Sequence, residues 1–124
     1  MNLHIDVELQ GGLLLVTASG TWTFDAAFRA IKQVRDAANE KEVNKILVNA
    51  LGTNGDLPTV ERYRLGVELA ARFEQHHMNP RLAFIGKPPA MNGFAVRVAQ
   101  NRGLTTEIFS TEKEALNWLG RWPG

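Results

Sequence analysis

The segment Gly52-Thr53-Asn54-Gly55-Asp56-Leu57-Pro58-Thr59 gathers two hydroxyls, an amide and a carboxylate into one polar run. Such a set can hydrogen-bond a ligand or a partner, but it holds no nucleophile–base pairing that would drive a reaction. Thr59 is placed to cap a following helix, where its hydroxyl accepts a backbone N–H and a negative charge meets a favourable dipole. A second candidate is Gly86-Lys87-Pro88-Pro89-Ala90-Met91-Asn92-Gly93, which joins a strand to a helix start. Lys87 would supply the charge for an anion there. Its two prolines remove backbone donors that a phosphate cradle needs, and Walker spacing is missing. The candidate binding residues are therefore Thr53, Asn54, Asp56, Thr59 and Lys87.

Other chemistries lack their parts. The chain has no cysteine, which excludes a disulfide framework, a thiolate metal site and a cysteine nucleophile. Its histidines are His4, His76 and His77. Neighbouring helical residues point about 100° apart, so the adjacent pair cannot chelate as an i,i+4 pair does. Ser19 and Ser110 lie outside any Gly-x-Ser-x-Gly elbow. Asp6 and Glu8 share a strand face about 7 Å apart, and alternating acids on a solvated strand are the simpler reading. Trp118 fits the packing of a last helix, and Trp22 and Trp122 read as core or rim packing. No catalytic residue, metal or cofactor is expected.

Composition narrows the class further. At 124 residues the chain is one domain, residues 1–124, with 44% hydrophobic and 22% charged residues. A formal charge of +1 gives no field that would steer it to nucleic acid or a membrane surface. The run of Arg81, Lys87, Arg97 and Arg102 without an acid reads as a solvated helix face rather than a phosphate footprint. The first residues lack the basic and apolar regions of a signal peptide, and no apolar run approaches a membrane span. The expected location is the cytoplasm.

The elements that must position the candidates follow from periodicity. Leu3, Ile5, Val7 and Leu9 alternate with polar residues as a half-buried strand, and Gly11-Gly12 turns it into a second strand, Leu13 to Ala18. Phe24, Ala27, Phe28, Ile31, Val34 and Ala38 then mark a helical face, capped by Thr23 or Asp25. Lys45 to Leu51 is a buried strand, followed by a loop to Pro58. Thr59 to His77 is a helix with Val60, Tyr63, Val67 and Ala70 inward, stopped by Asn79-Pro80. Leu82 to Ile85 is a fourth strand, and Met91, Phe94, Ala95, Val98 and Ala99 form a third helical stripe. Thr105 to Phe109 is a fifth strand. Thr111 and Glu114 have capping-box spacing for a last helix through Leu116 and Leu119.

This order predicts an α/β fold, ββαβαβαβα. It has a five-stranded mixed sheet, an antiparallel N-terminal hairpin continued by parallel strands, with about four helices. Right-handed crossovers that step one way put every helix on one sheet face and leave the other partly bare. An apolar bare face predicts a homodimer.

The two-strand opening, Gly20, the loop after the third strand and the further β/α units resemble STAS domains of the SpoIIAA-like, STAS/SEC14-like branch. The local likeness is sharpest in Arg-Leu-Ala-Phe-Ile-Gly at residues 81–86, in Glu107-Ile108-Phe109, and in the helix start Ser110-Thr111-Glu112-Lys113-Glu114-Ala115. The resemblance implies a non-catalytic regulatory module that binds a kinase or anti-sigma partner. Antagonist-type members carry a phosphorylated serine in an Asp-Ser-x-Gly-like segment after the third strand. The matching stretch here, residues 49–59, has no serine, and Thr53 and Thr59 are its only hydroxyls. The expected function is recognition of a protein partner or a small apolar ligand, with no nucleic acid and no integral membrane association. The alternative is a small enzyme or a binder of an anionic, phosphorylated molecule at the strand-to-helix loops.

Overall fold

Alternation in the first strand sorts its side chains by face: Leu3, Ile5 and Val7 are half-buried, whereas His4, Asp6 and Glu8 are exposed. In the computed structural model, which describes residues 2–74 and 80–120, this strand is β1 (Leu3–Gln10). It pairs antiparallel with β2 (Leu13–Thr21), and both glycines of the Gly11-Gly12 turn have the positive φ that a tight hairpin requires. The chain continues as α1 (Phe24–Lys41), β3 (Lys45–Asn54), α2 (Thr59–Glu74), β4 (Arg81–Ile85), α3 (Phe94–Asn101), β5 (Thr105–Phe109) and α4 (Glu112–Trp118). The sheet order is β1-β2-β3-β4-β5, with every pairing after the hairpin parallel. The mixed sheet and the ββαβαβαβα order are those the periodicity predicts.

Three crossover helices cover one face. Leu14, Val16, Ile46, Val48 and Leu82 of the sheet meet Val34 and Ala38 of α1, Leu69 and Phe73 of α2, and Ala99 of α3. The other face corrects the expectation of a one-sided sheet. The helix after the last strand is not a crossover, so no handedness rule holds it to the first face. It folds across to the second, where Ala115 and Leu119 bury Leu13, Leu47, Ala83 and Ile85. What stays open on that side is polar: His4, Asp6 and Glu8 of β1 beside Thr17 and Ser19 of β2 are exposed. The apolar face that motivated a homodimer is therefore absent there.

The free edge of β5 is occupied by side chains of α3 and of β5 itself. Gln100 Nε2 donates to the Thr106 carbonyl at 2.6 Å, and the Ile108 N–H donates to Glu107 Oε1 at 3.0 Å. A sheet edge filled in this way presents fewer free groups to another strand.

Helix starts follow local chemistry. Thr23 Oγ1 accepts the Ala26 N–H at 3.1 Å, so of the two expected caps the threonine acts. Thr111 Oγ1 accepts the Glu114 N–H, the cap half of the expected capping box, while the Glu114 carboxylate accepts from the Thr111 hydroxyl. The third helix begins at Phe94, later than the stripe from Met91 implied. Gly93 sets the start with φ +84, and the Met91 N–H donates back to the Lys87 carbonyl in a turn.

The buried face of α2 is also corrected. Val60 and Tyr63, expected inward, are 65% and 45% exposed. The buried stripe is Arg62, Leu65, Gly66, Leu69, Ala70 and Phe73. Those positions keep strict helical spacing, and the first of them is charged. The expected end of this helix at His77, the stop at Asn79, and Trp122 lie outside the described residues.

Candidate functional site

The candidate loop is shorter than its composition implies. Gly52, Thr53 and Asn54 belong to β3, paired with Ser19, Gly20 and Thr21 after a bulge in β3 that sets Ala50 and Leu51 opposite Ala18. Ladder pairing overrides the turn preference of glycine and asparagine, and only residues 55–58 separate β3 from α2. The two strand residues have local partners. The Thr53 hydroxyl donates to the Ala50 carbonyl at 2.6 Å, and Asn54 Oδ1 accepts from Thr21 Oγ1 at 2.7 Å. Thr59 does not cap α2. The Pro58 carbonyl accepts from Arg62 N, so the cap position is Pro58 and Thr59 is the first helical residue, exposed. Lys87 is exposed in the loop after β4, ahead of a cis Pro88–Pro89 bond.

The sequence reading missed the residue that joins these loops. Arg62 is 6% exposed. Its Nε donates to the Leu57 carbonyl at 2.7 Å, and one terminal nitrogen donates to the Pro89 carbonyl at 2.7 Å and to Asp56 Oδ1 at 3.0 Å. Asp56, of which 77% of the side chain is exposed, adds a solvent-screened contact to that cation. Through Arg62, Asp56 and the Lys87 loop belong to one cluster at the carboxyl ends of β3 and β4. Extrapolating the stripe back from Phe73, Leu69 and Leu65 lands on position 62, and that spacing was the signal available in the sequence.

Behind this cluster lies a cavity of about 120 Å³ between the sheet and the three crossover helices. It exists because small side chains face one another. Ala18 of β2 meets the α1 face that carries Ala27 and Ala30, while Ala90 and Ala95 line it from the α3 side. Ile31, Val34, Leu65, Leu69 and Phe73 complete walls that are otherwise hydrocarbon. At the cost of unfilled core volume, roughly 24 cal/mol per Å³, leaving this space empty forgoes about 3 kcal/mol of packing. Trp22, Leu57 and Met91 bound it at the carboxyl ends of β2, β3 and β4, the end at which open α/β sheets take ligands. α1 is held against α2 by the Arg64 and Arg72 guanidiniums of α2, 4.6 and 5.2 Å from the Phe24 and Phe28 rings, which stack on each other along α1.

Trp22 is fixed rather than loose at that boundary. Its backbone N–H donates to the Asn54 carbonyl at 3.0 Å, and Gly55, with φ +115, lies against that backbone, where a Cβ would come within 3.3 Å. The indole Nε1 is buried and has no hydrogen-bond partner among the described residues. A buried donor left unpaired costs about 1–3 kcal/mol.

No protein-family model and no curated protein sequence matches the chain. Solved structures do. An anti-sigma factor antagonist from Mycobacterium paratuberculosis superposes with a TM-score of 0.68 at 18% identity, over 96% of this chain and 95% of that one. A protein of the DUF3478 family with a SpoIIAA-like fold, from Shewanella loihica PV-4, gives a TM-score of 0.54 at 20% identity, over 95% and 93%. The chain has the SpoIIAA-like α/β fold. Among the described residues no helix is long and apolar enough to cross a membrane.

Proposed function

We propose that this SpoIIAA-like fold serves as a non-catalytic regulatory module that binds a small apolar molecule in the cavity between its sheet and α1, α2 and α3. The single observation that carries the reading is a 120 Å³ space walled by hydrocarbon at the ligand-binding end of an α/β sheet. Apolar cavities of about 150 Å³ stay dry and admit a benzene-sized guest. A guest that recovers the forgone packing gains about 3 kcal/mol, a dissociation constant of several millimolar for a bare hydrocarbon. Toluene is the test. Ala30→Leu, which places a larger side chain in the wall, is expected to abolish toluene binding in calorimetry and to hold or raise the melting temperature. Toluene binding retained in that variant contradicts the reading.

A second reading, recognition of a protein partner, is supported by exposed apolar side chains rather than by the cavity. Val60 and Tyr63 stand out from the start of α2, close to Asp56 and Thr59. The Mycobacterium structure is that of an anti-sigma factor antagonist, so a protein partner fits the fold. An anionic ligand at Thr53, Asn54, Asp56, Thr59 and Lys87 has less support, since Asp56 brings a carboxylate and Thr59 is not the cap. A cytoplasmic location remains part of the proposal. So does a homodimer, now without the bare apolar face as its reason; light scattering at high micromolar concentration reads it against a chain mass of 13.8 kDa.

A further inference from the structure

The two edges of the sheet differ. On β5 the Thr106 carbonyl and the Ile108 N–H are taken by the side chains of Gln100 and Glu107. β1 has no such cover. Its eight residues pair with β2 in an unbroken ladder, without a bulge, and Leu3–Gln10 contains neither proline nor lysine. Among the described residues no side chain hydrogen-bonds the main chain of Leu3 to Leu9, and the one side-chain bond in that stretch joins His4 to Asp6 on the exposed face at 3.2 Å. In an antiparallel edge strand every second residue directs both its N–H and its C=O outward. An uncovered row of this kind is a template for another strand.

We infer that β1 is the surface through which two copies of this chain associate, edge to edge and antiparallel, about a two-fold axis at Ile5. The inference rests on the homodimer proposed above and gives it an interface. A two-fold axis pairs the strand with its own reverse, so the strand's sequence decides the fit. Side chains must also keep their faces, because one side of β1 is half-buried and the other exposed, and a one-residue slip would exchange them. With the axis at Ile5, that residue meets its own copy, Leu3 meets Val7, His4 meets Asp6 and Asn2 meets Glu8. Each exposed acid then faces an imidazole or an amide. An axis at Asp6 would set that carboxylate against its copy, and an axis at Val7 would set Asp6 against Glu8; like charges directly opposite destabilise a strand pair. An axis at His4 would face imidazole on imidazole over a shorter overlap. A strand from another protein would have to offer the same pattern of polarity, which β1 supplies itself.

The chain contains no cysteine, so one introduced thiol reports on one position. A single strand edge makes a small interface of the weak class, so the comparison is made at high micromolar concentration. Ile5→Cys and Val7→Cys both place the thiol on the half-buried side of β1. Directly opposite residues have Cα atoms about 4.5–5.5 Å apart, within disulfide reach. The two thiols of Ile5→Cys are directly opposite, whereas those of Val7→Cys are about 14 Å apart along the strands. Under mild oxidation Ile5→Cys is expected to form the disulfide-linked dimer about tenfold faster or more. The second arm uses charge. The His4 and Asp6 side chains are 70% and 73% exposed, so altering them leaves the fold intact. His4→Asp sets carboxylate against carboxylate twice and is expected to weaken the dimer about tenfold in light scattering; adding Asp6→His should return it to within about threefold of the parent. Equal oxidation at the two positions, or a dimer indifferent to both charge variants, would overturn the β1 interface and leave the homodimer standing. A parent chain that scatters as a 13.8 kDa monomer would remove both. The charge variants change exposed side chains alone, so a poorly folded cysteine variant still leaves a decisive outcome.

Discussion

Gly66→Ala is expected to destabilise the fold by about 2 kcal/mol, against the direction of helix propensity. Alanine gains up to about 1 kcal/mol over glycine in a helix interior. Here a Cβ would fall 2.6 Å from the Ala95 carbonyl oxygen and 2.6 Å from Val98 Cβ, so α2 and α3 would have to part. The first of those atoms is backbone and cannot rotate away, and overpacking of this kind costs roughly 1–3 kcal/mol or more. At roughly 4 °C per kcal/mol for a domain this long, the melting temperature should drop by about 8 °C. Chemical denaturation gives the free energy directly. Unchanged or raised stability would mean that the α2–α3 approach is looser than described.

Arg62→Met is expected to cost about 2–4 kcal/mol while keeping most of the side-chain volume. It removes a donor set that serves the Leu57 and Pro89 carbonyls and Asp56, and hydrogen bonds to charged groups contribute about 1.5–3 kcal/mol each. Arg62→Lys should recover only part, because an ammonium cannot reproduce the planar fork. Asp56→Asn should move stability by less than about 0.5 kcal/mol, since the Asp56 side chain is 77% exposed and screened by solvent. The contrast is the informative part. A large loss at Arg62 with little at Asp56 shows that the arginine acts as a tie between two loops rather than as half of an ion pair. Equal losses at both sites contradict that account. Denaturant titration of the three variants against the parent separates the cases.

What the sequence allowed and what it hid have physical reasons. Strands β1 to β5 and their alternation with helices are legible, because Leu3, Ile5 and Val7 repeat at two residues and Val34, Ala38 and their neighbours at a helical spacing. The position of α4 was not, because handedness constrains crossovers and this helix follows the last strand. Residues 52–54 read as loop because glycine and asparagine favour turns. Only the β3 bulge at Ala50 and Leu51, a tertiary feature, brings Ser19 to Thr21 alongside them. Val60 and Tyr63 read as core because they are apolar, while Arg62, being charged, was not counted among the inward positions. The burial runs the other way. Thr53, Asn54, Asp56, Thr59 and Lys87 do cluster at one end of the sheet, but two of them have local backbone or side-chain partners and Asp56 serves Arg62. The cavity arises from alanines on elements far apart in the chain, and no local pattern announces such a meeting.

The most direct test of the central claim is a titration of the methyl-labelled protein with toluene, followed in its carbon–proton correlation spectrum. A guest in the cavity predicts saturable shifts concentrated on the methyls of Ile31, Val34, Leu65 and Leu69, which line it, with exposed Val60 and Leu51 unmoved. Absence of saturation up to the solubility limit, or shifts confined to the exposed methyls, would contradict it.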